Sequence, residues 1–422
     1  MINIHKMRSL LLCIAAVVLC FPLYAQEHYR TMTKSQQVRT LQVNVAGQQL
    51  GRPIIELNGN ESILIQFDEM SHNIKNYSYS IHHCNADWTL SNLTDMEAVD
   101  GMPTAYLTDN ASSFNTTFLF THYTLSFPNA NTRMKVSGNY MVKIYEDNDP
   151  DKLVAIACFS VVEPKIAIQA SLRGNADNEF NGRYQQLEFT IDNSQFPVRD
   201  VFSELKVTVR QNDRIDNQVT DVKPTFTASG LQSYVHNPAL IFEGGNEYRR
   251  FDCSSIYTYG VGVDNVRFIS PYYHVTLFPD AKRAGKAYGK DDDVNGRFVV
   301  NLQNAADDQL DADYVFVHFS LPTDQPFFEG SLYLLGDMTE NMFTPENRLE
   351  YNGQHNAYEK TLLLKQGGYN YQYVFVPKGG TKGSLQQVEG SYWQTSNEYD
   401  IYVYYKGWND RYDRLVGVKM IE

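Results

Sequence analysis

Two histidines, a thiol, a carboxylate and an indole fall within Ile81–Trp88, the densest group of reactive side chains in the 422-residue sequence. A metal site would need several of them to converge on one point. On a strand, however, His82 and Cys84 share one face and His83 takes the other, so at most two of the three can meet. A Cys–His nucleophilic pair would want its base from across the fold, not two positions along the same strand. The expected role is structural: Cys84 or His83 in a core, with Asp87-Trp88 opening a turn. Asp291–Gly296 follows the first half of a calcium loop, but Leu302 stands where that loop needs a bidentate carboxylate. Asn295-Gly296, between polar and apolar runs, is a strong hairpin turn signal, because both residues tolerate positive φ. Gly260-Val-Gly262 lacks the third glycine and the following helix of a dinucleotide loop, and reads as a strand edge. The sequence has no Gly-x-Ser-x-Gly elbow, no His-Glu-x-x-His and no Walker loop. With 49 acidic residues any pairing into a glycosidase-type acid couple is arbitrary. The expectation is no catalytic residue, no cofactor and no metal, and hence no enzyme and no small-molecule substrate.

The elements that carry these residues are strands. β-Branched and aromatic residues alternate with polar ones in short runs, as in Leu205–Arg210, where Leu205, Val207 and Val209 would face a core and Lys206, Thr208 and Arg210 would face water. Tyr77/Tyr79/Ile81, Tyr140/Val142/Ile144, Tyr273/Val275/Leu277 and Tyr369/Tyr371/Tyr373/Phe375 repeat the pattern. No window after the first 25 residues has convincing helical spacing. Short strands separated by turn residues imply an all-β fold of two or three consecutive antiparallel sandwiches of the immunoglobulin-like or early-set kind. Glu163-Pro164 and the acidic stretch Asn304–Asp313 suggest boundaries that divide the chain into 26–163, 164–304 and 305–422.

Residues 1–25 have the layout of a signal peptide, with Lys6 and Arg8 before the apolar run Leu10–Phe21, and cleavage expected after Ala25. The apolar run is shorter than the ~20 residues a membrane-crossing helix needs. Leu19 precedes Cys20 where a lipoprotein signal wants a small residue. The whole chain carries 36 basic and 49 acidic residues for a net charge of −13, which becomes −15 once Lys6 and Arg8 leave with the leader. Such a chain is a poor partner for nucleic acid or anionic lipid, so neither nucleic-acid binding nor direct membrane insertion is expected. Cys84, Cys158 and Cys253 remain. An odd number permits at most one bridge, and all three suit small buried apolar positions.

Pro53–Leu57, Ile65–Asp68, Lys75–Tyr79, His83–Trp88, Ser112–Asn115, Thr121–Asn129, Ser137–Tyr140 and Val142–Pro150 stand in the order found in the N-terminal domain of the type IX secretion system plug family of Bacteroidetes. The chain resembles that family from Val38 to about Pro150, and more weakly through Asn295–Val299. The resemblance implies a non-enzymatic periplasmic protein that occupies and seals the inner opening of a large outer-membrane translocon barrel, its partner. Gly330–Asp337, Tyr358–Leu364, Gly367–Phe375 and Glu389–Tyr392 resemble early-set sandwiches related to glycogen-binding modules. There, Asn341 and Phe343 stand near the place of the expected sugar-stacking tryptophan. A glycan-binding periplasmic or surface module is thus the alternative function.

Tyrosine is abundant at 29 residues. In Tyr399–Tyr405 both strand faces carry aromatics, so some must point outward unless a neighbouring domain covers them. Tyrosine and tryptophan favour protein interfaces, which makes Trp88, Tyr402 and Tyr404 the expected partner contacts.

Overall fold

A computed structural model describes residues 27–177 and 181–422. The expected leader and its cleavage after Ala25 lie outside the described residues. Strands dominate, and the fold is all-β with antiparallel sheets packed face to face. No described helix is long and apolar enough to cross a membrane.

Three hydrophobic cores organise the molecule. The first lies between a six-stranded and a four-stranded sheet, and its buried members run from Val38 to Val161. In the larger sheet Gly138–Glu146 pairs with both Tyr77–Cys84 and Leu153–Val162. The pleat then puts Tyr79, Ile81, Tyr140, Val142 and Ile144 on the inner face against Ile63, Ile65 and Phe67 of the smaller sheet.

The second core is discontinuous in sequence. Leu187, Phe189 and Ile191 of strand Tyr184–Asp192 meet Leu205, Val207 and Val209, together with Ile401, Val403 and Val416 from the end of the chain. Strand Leu205–Gln211 pairs antiparallel with Tyr399–Tyr405, which pairs with Arg414–Ile421. The residues after Glu243 and before Glu398, whose N–H donates to Asn212 Oδ1 of the middle unit, are thereby inserted into this middle unit. The insertion has its own core, in which Phe251, Val275 and Val300 pack with Val317, Leu334 and Tyr373.

This arrangement corrects the division into 164–304 and 305–422. Tyr272–Leu277 pairs in parallel with Tyr314–Pro322, and Arg249–Asp252 and Phe298–Val300 both pair with Gly367–Pro377, so one sandwich spans residue 304. The acidic stretch there is a surface connection within one unit, containing the short helix Asp308–Asp311. The strands after Tyr399 belong to a different unit from those just before them. Strand partners distant in sequence leave no mark in local composition, so turn chemistry alone could not separate these cases.

Candidate functional site

The Ile81–Trp88 cluster is spread over both faces of strand Tyr77–Cys84. His82 reaches Asp95 Oδ1 at 2.8 Å, and Ser80 Oγ lies 2.8 Å from its other ring nitrogen. His83 points the opposite way and is buried; its Nε2 donates to the Ser137 carbonyl at 3.2 Å, and the rings of Tyr140 and Tyr412 stand edge-on to it. Burial pushes its pKa down to about 4, so it is neutral in the folded chain. Gly138 makes room for it, since a Cβ there would sit 2.2 Å from His83 Nε2 and φ is +140°. Cys84, Cys158 and Cys253 are buried free thiols. Burial pushes Cys84 up to about 12, opposite to what a nucleophile needs. Asn295 and Gly296 both take positive φ, but no strand precedes them, so this is a turn and not a hairpin. Asp177, Glu188 and His236 come close enough to hold a cation, but Arg173 Nη1 already lies 2.6 Å from Glu188 and 3.5 Å from Asp177.

The partner contacts expected at Tyr402 and Tyr404 are corrected by their burial. They are 6% and 2% exposed and sit between the N-terminal and middle units, packed with Val162, Leu415 and Ile54. Tyr404 donates to Asn139 Oδ1 at 3.0 Å, and the Arg210 guanidinium lies over the Tyr402 ring at 5.5 Å. The same cover reaches Thr208, which is buried, and most of Arg210, so the face of Leu205–Gln211 expected to meet water is largely covered, with Lys206 still reaching solvent. Trp88 is half-buried at φ +64° and packs against Tyr29, Cys84 and Met141.

What the molecule builds instead is a set of buried polar contacts between its units. At the first, Asp68 of the N-terminal unit accepts from Lys365 Nζ at 2.6 Å and Tyr314 OH at 2.7 Å, both from the inserted unit, while His122 holds its other oxygen at 2.7 Å. Burial alone would raise the Asp68 carboxyl, but Lys365 and His122 outweigh it and hold it below the ordinary range. Nearby, Asp313 takes the backbone N–H groups of Thr117 and Phe118 at 2.7 and 3.0 Å, and Phe118 stacks on Tyr272 at 3.8 Å.

The second contact joins the N-terminal and middle units. Asp413 accepts from the Ala86 N–H at 2.9 Å and from Lys206 at 2.9 Å. The third is a three-way junction centred on Arg52, which is buried in the N-terminal unit. Its guanidinium meets Glu398 at 2.8 Å, Asp400 at 3.1 Å and Asp213 at 3.5 Å, all from the middle unit. Arg297 of the inserted unit shares Glu398. A cavity of about 160 Å³ opens beside them, lined from all three units, with Trp88 and Tyr402 on its wall.

The large apolar side chains that do reach solvent are others. Trp408 is 90% exposed, and Tyr257, Phe328 and Phe114 are also largely free. Trp408 sits in Lys406–Asp410, a polar Gly/Asn/Asp segment between two strands. An indole with no apolar neighbour in such a loop is the sequence signal that could have singled it out. Arg52 offers no such signal. In the inserted unit Phe343 contacts Tyr333 and packs on Leu335, Val374 and Leu385, and Asn341 donates to Asp337 at 2.7 Å.

Residues 38–163 match the family described as type 9 secretion system plug protein, 1st domain. A hypothetical protein from Parabacteroides merdae, known from a crystal structure, is 43% identical and superposes with a TM-score of 0.92, covering 94% of this chain and 100% of that one. No curated protein matches. The matched span coincides with the sandwich whose core runs from Val38 to Val161, so that sandwich is a domain of the kind described as type 9 secretion system plug protein, 1st domain.

Proposed function

We propose that this chain is a non-enzymatic periplasmic subunit that binds and seals the periplasmic opening of the type IX outer-membrane translocon barrel. The observation that carries the reading is the plug-family match over 38–163, on a domain locked by buried contacts to the rest of the chain. A plug resists a pressure of solute and polypeptide across a wide mouth, and so works as one body. Buried ion pairs and aromatic contacts at each unit boundary favour that behaviour, since breaking one leaves a charge unpaired in a dry environment. The chemistry seen at His83 and the three thiols, all buried and held in unreactive forms, agrees with a role that needs no turnover.

A seal that can be released needs an interface of ordinary size, ~1,200–2,000 Å² in total, with a few aromatic anchors. Trp408, Tyr257 and Phe328 are better placed for that than the buried tyrosines of Tyr399–Tyr405. The test is affinity capture of the tagged mature protein from detergent-solubilised envelopes of its host, followed by mass spectrometry. Recovery of a very large outer-membrane barrel protein is expected. Recovery of the chain alone, or with glycan-processing proteins, would overturn the reading and return attention to the inserted unit as a glycan-binding module.

A further inference from the structure

The three-way junction has an imbalance of charge that its geometry does not relieve. Arg52, Arg210 and Arg297 face four carboxylates there, those of Asp213, Asp337, Glu398 and Asp400. Glu340 adds a fifth at the edge, where Thr33 N–H and Oγ1 hold it at 2.7 and 2.8 Å with Arg30 and Lys34 nearby. Asp213 is well served, because Arg52 and Arg210 bracket it and hold it below its ordinary range despite burial. Asp400 is not. It is fully buried, and neither of its oxygens accepts an aligned hydrogen bond from any described group, although Arg52 Nε lies 3.1 Å away. Asp337 is half-buried on the cavity wall; among the described residues it takes the Asn341 amide, and it faces Asp213 across the junction.

We propose that this junction is an acid-strengthened latch: proton uptake on Asp337 and Asp400 tightens the N-terminal unit against the other two, and proton loss toward neutral pH loosens it. The groups facing Asp400 are Arg52 from the N-terminal unit and Asp213, Glu398, Arg210 and the Tyr402 phenol from the middle unit. Those facing Asp337 are Arg52, Asp213 and Arg297. Burial, with like charge from Asp213, pushes both carboxyls up to about 6. A carboxyl raised in the folded state binds its proton more tightly there than in the unfolded chain. Its ionisation therefore costs stability as pH rises from about 4 through about 6, and protonation restores it. The adjacent cavity, lined by Asp337 and Asp213, lies at the same three-unit boundary. The latch stands on these contacts alone and holds whether or not the chain seals a barrel.

The test compares the full mature chain with Asp337→Asn, Asp400→Asn and the double variant, each a neutral isostere of the protonated acid. His83 pulls the wild-type profile the opposite way, so the readout is the difference between variant and wild type at each pH. At pH 7.5 the double variant is expected to melt at least about 2 °C above wild type, with the gap closing below pH 5. Hydrogen exchange gives the location. Residues 52–57 and 399–405 of wild type should be less protected at pH 7.5 than at pH 5.5 after correction for intrinsic rates, while the double variant is equally protected at both. Variants that melt below wild type at pH 7.5 or fail to fold, a gap that does not change with pH, or wild-type protection that is independent of pH would overturn the latch.

Discussion

Lys365 and Asp68 stand 297 positions apart and meet at 2.6 Å, with Lys365 also 4.2 Å from the centre of the Phe120 ring. Such a pair is expensive to break, because the surviving charge stays buried without compensation. Lys365→Met is expected to destabilise the chain by about 3–5 kcal/mol, and the double change with Asp68→Asn by less than either single change suggests. Chemical denaturation of the four proteins checks the cycle. Since the Asp68 carboxyl is held low, its contribution is present above the ordinary carboxylate range and is lost as pH falls through the depressed value. His83 has the complementary effect. Its pKa of about 4 lies below the ordinary ~6.5, so the unfolded chain takes up a proton first, and stability falls as pH drops from about 6.5 to about 4. His83→Gln should flatten that part of a stability–pH curve, and an unchanged slope would show that the ring is not buried neutral. Residue-scale reading of the sequence placed His82 and Cys84 on one face and His83 on the other, because the strand period is local. It could not place Arg52 or Lys365 inside, because a buried cation is decided by carboxylates that arrive from other units.

Elements follow the same division. Leu205, Val207 and Val209 line a core, as alternation requires, yet on the opposite face Thr208 and most of Arg210 are covered by other units, and Lys206 alone of the three stays substantially exposed. The aromatics on both faces of Tyr399–Tyr405 carried the hint of a covered strand, and the cover turned out to be internal. A fragment of residues 164–304 takes Leu205–Gln211 from its partner Tyr399–Tyr405 and takes Phe298–Val300 from Gly367–Pro377. It is expected to show no cooperative thermal transition by circular dichroism, whereas a fragment that folded cooperatively would contradict the interleaved topology. Gly138→Ala tests a smaller element, the turn into Gly138–Glu146. The added methyl would press on His83 and the Asp413 carbonyl at a φ that L-residues avoid, and a loss of about 1–3 kcal/mol is expected by denaturant titration.

At the scale of the whole molecule, three sandwiches share the charges of Asp68, Arg52 and Asp413 across their boundaries, which ties the chain together, unlike beads on a string. A compact chain of this length has a radius of gyration of about 22 Å. The all-β character, and the match of residues 38–163 to the plug protein 1st domain, could be read from the N-terminal half of the sequence. The interlock could not, because its strands are separated by a whole inserted domain. The most direct test of the central claim is electrical: conductance of the purified translocon barrel in a planar bilayer, recorded with and without the mature chain added on the periplasmic side. Closure of a large steady conductance on addition, reversed when the chain is removed, is the expected result. Conductance that ignores the chain at concentrations where capture shows binding would contradict the account.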